Sequence, residues 1–439
     1  MKTKKKILLL NPPFNRSVQR DYYCSHTTKS SYLWQPLDLQ ILSGFLKEYN
    51  IILYDCIYNK HHKHKALSNI KNLSPDIIIS QTASASLNSD FDFLKKISII
   101  CKSKIIVTGD IVRSNFKEIL NKHNFINACI TNICHNNIKD YIENNNIVNL
   151  FNIITRNSAN IEEIPSIFSI PKPKISLFNK KNYNLPYTYK SPIYTTLTTY
   201  GCPFACKYCH FENINPSLRN PSNFALELKN IKKFNFQYIH FRDQTFGYNK
   251  EHLTEIAQII KKTNLPYTIY SRADVMDFKT LKMLKKSGLH TIEVGVESGS
   301  FSTRSKYGKI IQNQTYIDFF DNCRKLKINT VGIFIIGFKE ENLTHIKKTE
   351  TFIHKLKPDY LSLNILIPKH GTTIENKNSS KIDLDPTKGL ITQKKLQKIQ
   401  SNIMHEFYLS PKYIFNKIKN LENLQDFLHL YKNATSINK

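Results

Sequence analysis

Along the first third of the chain, short and wholly apolar runs alternate with segments of helical periodicity. Runs such as Ile7-Leu8-Leu9-Leu10 and Ile77-Ile78-Ile79 predict strands at 6–10, 51–54, 76–80 and 104–108, with a weaker one at 126–130. Between them, Leu37, Leu39, Leu42, Phe45 and Leu46 share one helix face, and Phe91, Phe93, Leu94, Ile97 and Ile100 share another. Strands spaced by helices predict a doubly wound parallel sheet over 1–150, with ligands expected outside the carboxyl ends of its strands. From 151 to 191 the periodicity fades and Pro165, Pro171, Pro173 and Pro186 punctuate the chain, which reads as an extended linker. Alternation resumes at Ile193. Strands are expected at 193–198, 238–241, 267–270, 291–296, 330–336 and 360–367, with helices over 224–234, 253–261, 316–326 and 343–356. Six strand–helix units over 192–375 predict a partial TIM-type barrel, and 376–439 reads as a helical tail broken at Pro411.

Composition changes this α/β picture little. The 439 residues suit two or three domains, and 41% hydrophobic content excludes a mostly disordered chain. No apolar run approaches the roughly 20 residues of a membrane span, and Ile7–Leu10 is too short for a signal-peptide core. Nine scattered Cys do not resemble a secreted disulfide framework, so a reducing, cytoplasmic setting is expected. The net charge of +29 invites a nucleic-acid reading. Only nine of the 63 basic residues are Arg, however, so the charge reads mainly as a Lys-rich surface. Such a surface suits an acidic electron donor, a flavodoxin or ferredoxin, or an anionic small-molecule substrate.

The chemistry concentrates in Gly201-Cys202-Pro203-Phe204-Ala205-Cys206-Lys207-Tyr208-Cys209-His210. Three Cys spaced CxxxCxxC on a loop after a strand can converge on one metal centre. Three thiolates would leave one iron of a four-iron cluster open to a ligand, whereas zinc would want a fourth ligand such as His210. This spacing, with an aromatic residue before the last Cys, resembles the radical SAM enzymes. The resemblance implies a 4Fe–4S cluster on Cys202, Cys206 and Cys209, S-adenosylmethionine (SAM) on its open iron, and Tyr208 beside the adenine.

Later segments support that resemblance in order. His240-Phe241-Arg242-Asp243-Gln244-Thr245 is similar to the segment that contacts the methionyl amino group, with Asp243 where Gly-Gly-Glu is more usual. Arg272, in Ser271-Arg272-Ala273-Asp274, is expected to pair either with the SAM carboxylate or with Asp274. Gly295-Val296-Glu297-Ser298-Gly299 is similar to a ribose-side motif, and Ile336-Gly337-Phe338 to an adenine-side one. Glu297, Ser298 and Gly337 therefore join the implied SAM site. The last strand runs into Pro368-Lys369-His370-Gly371-Thr372, where relatives carry a Pro-Gly-Thr turn.

A preceding doubly wound domain resembles the cobalamin-binding subclass of these enzymes. The matching segments are Leu10-Asn11-Pro12-Pro13, Gln35-Pro36-Leu37-Asp38-Leu39, Ser80-Gln81-Thr82 and Thr108-Gly109-Asp110. By resemblance Asn11, Ser80, Thr82 and Gly109 face cobalamin. No Asp-x-His-x-x-Gly is present, so no histidine is offered to cobalt. The implied activity is cobalamin-dependent methylation of an unactivated carbon in a small molecule. A cyclase or rearrangement enzyme on the same scaffold is the near alternative, and a tRNA methylthiotransferase the more distant one. No side chain is singled out as catalytic. The His61, His62 and His64 run reads as a solvated basic loop.

Overall fold

The computed structural model describes residues 4–419 apart from 24, 29–31, 144–149, 163, 189, 213, 369–371 and 375–388. Cys24, the Lys369–Gly371 part of the Pro-Gly-Thr comparison, and much of the 376–439 tail lie outside the described residues. The chain forms two compact units. One comprises Met1–Thr196 and Ser217–Gln237, the other Leu197–Pro216 and Tyr238–Asn438.

In the first unit the five expected strands all form: β1 (Lys6–Asn11), β2 (Asn50–Asp55), β3 (Ile77–Gln81), β4 (Lys104–Thr108) and β5 (Ala128–Ile130). A short β6 (Ile153–Ile154) is added antiparallel to β5, and the spatial order is β2-β1-β3-β4-β5-β6. The first five strands run parallel. Apolar runs form these strands because both faces of the sheet are covered. Leu8, Leu10, Ile78, Ile105 and Val107 enter one core, while Ile7, Leu9, Ile77, Ile79 and Ile106 enter the other. The order reverses between β1 and β3, which is where such sheets bind ligands.

The proline-rich stretch is more than a surface linker. Phe178, Tyr183 and Leu185 are buried, and the Tyr183 hydroxyl donates to Asp55 at 2.9 Å. Its prolines interrupt any regular period, so its contribution to the core leaves no pattern in the sequence. The strand β7 (Ile193–Thr196) belongs to this unit. Gln40 Nε2 donates to the Thr195 carbonyl at 2.8 Å, and the Thr195 hydroxyl donates to Gln35 at 2.6 Å.

In the second unit β8 (Tyr238–Phe241), β9 (Tyr267–Ser271), β10 (Leu289–Glu297), β11 (Asn329–Ile336) and β12 (Tyr360–Ile365) are parallel neighbours in chain order. The fold is the expected α/β arrangement with an open rather than closed barrel sheet. Helices Lys250–Lys261, Phe278–Lys286 and Leu343–Leu356 start at Asn249, Asp277 and Asn342, whose side chains accept from first-turn N–H groups. The edge strand β12 is covered by helix Gln393–Tyr408. The Tyr408 hydroxyl accepts from Leu361 N at 2.8 Å and donates to Leu361 O at 2.9 Å, so that edge presents no bare backbone pair there.

Candidate active site

The cysteine loop of the second unit is shaped by contacts on both sides of the triplet. Cys209 N donates to Cys206 O at 2.9 Å, Cys202 N to Ile214 O at 3.3 Å, and Lys207 N to Tyr307 O at 3.1 Å. Gly308, with φ +83°, presses on the same loop, and a Cβ there would lie 2.3 Å from Ala205 O. Only glycine fits both that dihedral and that approach. None of the three is in a disulfide, and all are partly exposed. Cys202 Sγ lies 3.4 Å from the Thr245 hydroxyl, and Phe211 N donates to Cys209 Sγ at 3.5 Å. Arg272 Nη1 approaches Cys206 Sγ at 3.9 Å. Burial pushes the Cys206 thiol up, against the pull of the Lys309 and Arg272 cations.

Asp243 is fully buried just beyond the carboxyl end of β8. Its Oδ1 accepts from Thr198 N at 2.9 Å and from the hydroxyls of Thr198 and Thr199, each at 2.7 Å. Its Oδ2 has no partner. Burial raises its carboxyl above the usual range although these three bonds favour the charged form. A cationic ammonium could satisfy that oxygen.

Arg272 takes the second of its two expected roles. It pairs with Asp274 through Nε–Oδ1 at 3.0 Å and Nη2–Oδ2 at 2.7 Å, and it stacks on Phe204 with its guanidinium carbon 3.6 Å from the ring centroid. Nη1 is the edge turned to the cysteine loop.

Glu297 ends β10 at φ +68°, an uncommon conformation for a residue with a side chain, at a register shift in the pairing with β11. Its carboxylate forms an ion pair with Lys309 at 2.8 Å, with both side chains buried. Burial alone would push the Lys309 ammonium down, yet Glu297, Tyr316 and Cys206 outweigh it and hold it above its ordinary value. Sequence reasoning missed Lys309 because it belongs to no motif.

Tyr208 packs edge-on to Phe338 with ring centroids 6.0 Å apart, within a cluster that includes Tyr307 and Leu366. Ser298 is committed to the fold: its hydroxyl lies 3.0 Å from that of Thr349 and accepts from Ser300 N at 3.2 Å. Gly299 packs closely on helix Leu343–Leu356, since a Cβ there would lie 2.4 Å from Lys348 O.

Gly337 N donates to Glu341 Oε2 at 2.6 Å, while Glu341 Oε1 is buried without a partner. Burial pushes the Glu341 carboxyl up to about 7 from an ordinary 4.5. The folded chain thus holds this proton more tightly than the unfolded chain. Its stabilising contribution is complete below about pH 4.5 and is lost as pH rises through about 7. Over that window the loss should approach about 3 kcal/mol, and Glu341→Gln should remove it. Urea midpoints of both proteins across the window check this.

Asn11, Ser80, Thr82 and Gly109, which the resemblance assigns to cobalamin, lie at the strand ends of the first unit, already hydrogen-bonded or tightly packed. Asn11 donates to Asp55 at 2.9 Å and accepts from Arg20 at 2.8 Å. The Ser80 hydroxyl donates to Gln81 O at 3.0 Å, and the Thr82 hydroxyl to Thr108 O at 3.2 Å. Gly109, at φ +133°, could carry no Cβ, which would fall 1.9 Å from Thr82 O.

With this geometry in view, residues 196–353 match the Radical SAM superfamily, so the chain carries a radical SAM domain. Among curated proteins it is similar to an uncharacterized methyltransferase of Pyrococcus horikoshii, 28% identical over 58% of this chain and 59% of that protein. It is also similar to the cytidylyl-2-hydroxyethylphosphonate methyltransferase of Streptomyces wedmorensis, 23% identical over 36% of this chain and 31% of that protein. The chain thus spans about six-tenths or less of the length of these relatives. The cobalamin-dependent SAM radical enzyme OxsB, solved with aqua-cobalamin and SAM, superposes with TM-score 0.70 at 15% identity, covering 100% of this chain and 72% of that one. The radical SAM methyltransferase TsrM of Kitasatospora setae, solved with cobalamin and a [4Fe-4S] cluster, gives TM-score 0.65 at 13% identity, covering 83% and 76%. At these identities the structures establish a shared fold.

Proposed function

We propose that this chain is a radical SAM enzyme that methylates an unactivated carbon of a small molecule with the help of cobalamin. The observation that carries the reading is the disulfide-free CxxxCxxC loop of a radical SAM domain lying beside positive groups, with a buried, half-satisfied carboxylate at the next strand end. The donor set fits the implied cofactors. Three partly exposed thiols suit a cluster with one open iron. The free Oδ2 of Asp243 suits the SAM ammonium. In the first unit, Asp38 and Gln81 keep buried acceptor atoms without partners, which suits a ligand rimmed with amide donors such as cobalamin.

When bound, the cluster with SAM supplies a 5′-deoxyadenosyl radical, and cobalamin supplies a transferable methyl group. The chain's own residues do the positioning. Cys202, Cys206 and Cys209 would hold iron, and the nearby Arg272 and Lys309 cations favour the thiolate of Cys206. Thr198 and Thr199 fix Asp243 so that one oxygen is kept for an ammonium. Tyr208 and Phe338 offer an apolar wall for a purine. Glu297, held by Lys309, presents its carboxylate at the end of β10, and Ser298 and Gly337 shape the neighbouring loops. Asn11, Ser80, Thr82 and Gly109 would shape the cobalamin crevice.

Among the described residues no helix is long and apolar enough to cross a membrane. Free thiols and an oxygen-sensitive cluster suit a reducing cytoplasm, and the +29 charge suits an acidic flavodoxin or ferredoxin as electron donor. Anaerobic purification with cluster reconstitution tests the reading, by assaying iron, cobalamin and SAM products together. About four irons per chain, bound cobalamin, and both 5′-deoxyadenosine and S-adenosylhomocysteine are expected. Deoxyadenosine without any methylated product would instead favour a cyclase or rearrangement enzyme.

A further inference from the structure

The strand ends of the first unit contain a concentration of buried acid that the fold satisfies unevenly. Asp90 is paired with Arg20 through Nη2–Oδ1 at 2.6 Å and Nε–Oδ2 at 3.0 Å. Asp55 accepts from Asn11, Tyr58 N and the Tyr183 hydroxyl, each at 2.9 Å. Asp110 accepts from the hydroxyls of Ser25 at 2.7 Å and Ser84 at 2.8 Å. Asp38 differs from these. It is 0% exposed and neither carboxylate oxygen has a hydrogen-bond partner.

The groups around Asp38 come from separate elements: Asp21 and Tyr22 from the segment after β1, Gln81 from the end of β3, and Asp110 from the residues after β4. The Tyr22 backbone and the Gln81 side chain face the carboxyl and favour its charged form, but neither makes a hydrogen bond of full geometry to it. Gln81 spends its Nε2 on Arg20 O at 2.8 Å, and its Oε1 is likewise buried without a partner. Nor does Arg20 help. Its guanidinium is used by Asp90, by Asn11 at 2.8 Å and by Pro12 O at 2.9 Å. Burial, then the neighbouring charge of Asp21, holds the Asp38 carboxyl well above the usual range. A buried acceptor left unsatisfied is costly, so such a group points to a ligand that would complete it.

We infer that Asp38 and Gln81 form an acceptor pair in the first unit's ligand crevice, placed to receive N–H donors from an amide-bearing ligand. The neighbouring acids Asp55, Asp90 and Asp110 are already bonded, so a ligand gains most by bringing donors to Asp38 and Gln81. The inference rests on the cobalamin reading above, in which those donors are the primary amides on the corrin rim. It adds a specific anchor beyond the four residues that resemblance points to.

Hydroxocobalamin binding to the purified full chain, followed by its visible absorbance, tests the inference. Asp38→Asn keeps the shape of the side chain and exchanges one acceptor for a donor, and Asp38→Leu removes both acceptors. Each lost hydrogen bond should weaken binding by up to about tenfold, with Asp38→Leu the weaker binder. Melting of the ligand-free proteins is measured alongside. Removing an unsatisfied buried carboxyl should leave Tm unchanged or raise it. A variant that binds like the parent while melting lower would show a purely structural Asp38 and overturn the inference, leaving the cobalamin reading intact. A parent chain that takes up no hydroxocobalamin would overturn both.

Discussion

Cys206→Ser should leave a folded chain that no longer retains a full complement of iron and cleaves SAM more than about a thousandfold more slowly. The size of the effect follows from stoichiometry. Three thiolates leave no spare ligand, so losing one removes the centre rather than weakening it. Cys206 also lies beside positive charge, with Arg272 Nη1 at 3.9 Å and Lys309 nearby. A serine in its place lacks the soft donor that iron prefers. Iron content, visible colour and deoxyadenosine formation should fall together, while far-ultraviolet circular dichroism stays unchanged. Cys101→Ser, which alters a partly exposed thiol in the first unit, should keep the colour and the iron. Equal iron in the Cys206 variant and the parent would place the metal elsewhere.

Lys309→Met should destabilise the second unit by about 3–5 kcal/mol. The partner left behind is the cause. Glu297 is buried, sits at φ +68°, and has the Lys309 ammonium 2.8 Å away as its counter-charge. Truncating the cation leaves a desolvated carboxylate without its ion-pair partner, whereas an exposed ion pair of the same length would cost under about 1 kcal/mol. Replacing both members, Glu297→Gln with Lys309→Met, should recover much of the stability. Denaturant midpoints for the four proteins of the double-mutant cycle give the coupling directly. A single-variant loss under 1 kcal/mol would mean that Glu297 finds another donor. The pair also lies beside Cys206, so the single variant should lose iron more readily as well.

Much of the fold was legible from local pattern. The β4 bounds at Lys104–Thr108, the β8 bounds at Tyr238–Phe241 and the helix Leu343–Leu356 occur as read, and the other main strands differ by no more than two residues at either end. Unbroken apolar runs are what a sheet covered on both faces demands, and that demand acts over neighbouring residues. The cysteine loop was legible for the same reason, because its three Cys lie within eight positions. Helices Phe278–Lys286 and Phe301–Lys306 went unread, the first because lysines interrupt its apolar face and the second because it is under two turns long. The packed role of Phe178 and Tyr183 was hidden by the prolines around them.

The sequence by itself determined the α/β alternation, the thiol triplet and the strand ends near which the implied ligand residues fall. Those properties are encoded by periodicity and spacing over a few residues. Only the tertiary structure decided how the charged and polar groups are used. It committed Arg272 to Asp274, joined Glu297 to an unforeseen Lys309, fixed Asp243 by threonines some 45 positions away, and spent Arg20 on Asp90 while leaving Asp38 unsatisfied. A buried charge takes whatever partner the fold brings within about 3 Å, and apart from the adjacent Arg272–Asp274 pair these partners are far apart in the chain. Local pattern can place such a residue at a strand end, but the completed packing decides whether it is paired, half-paired or left open to a ligand.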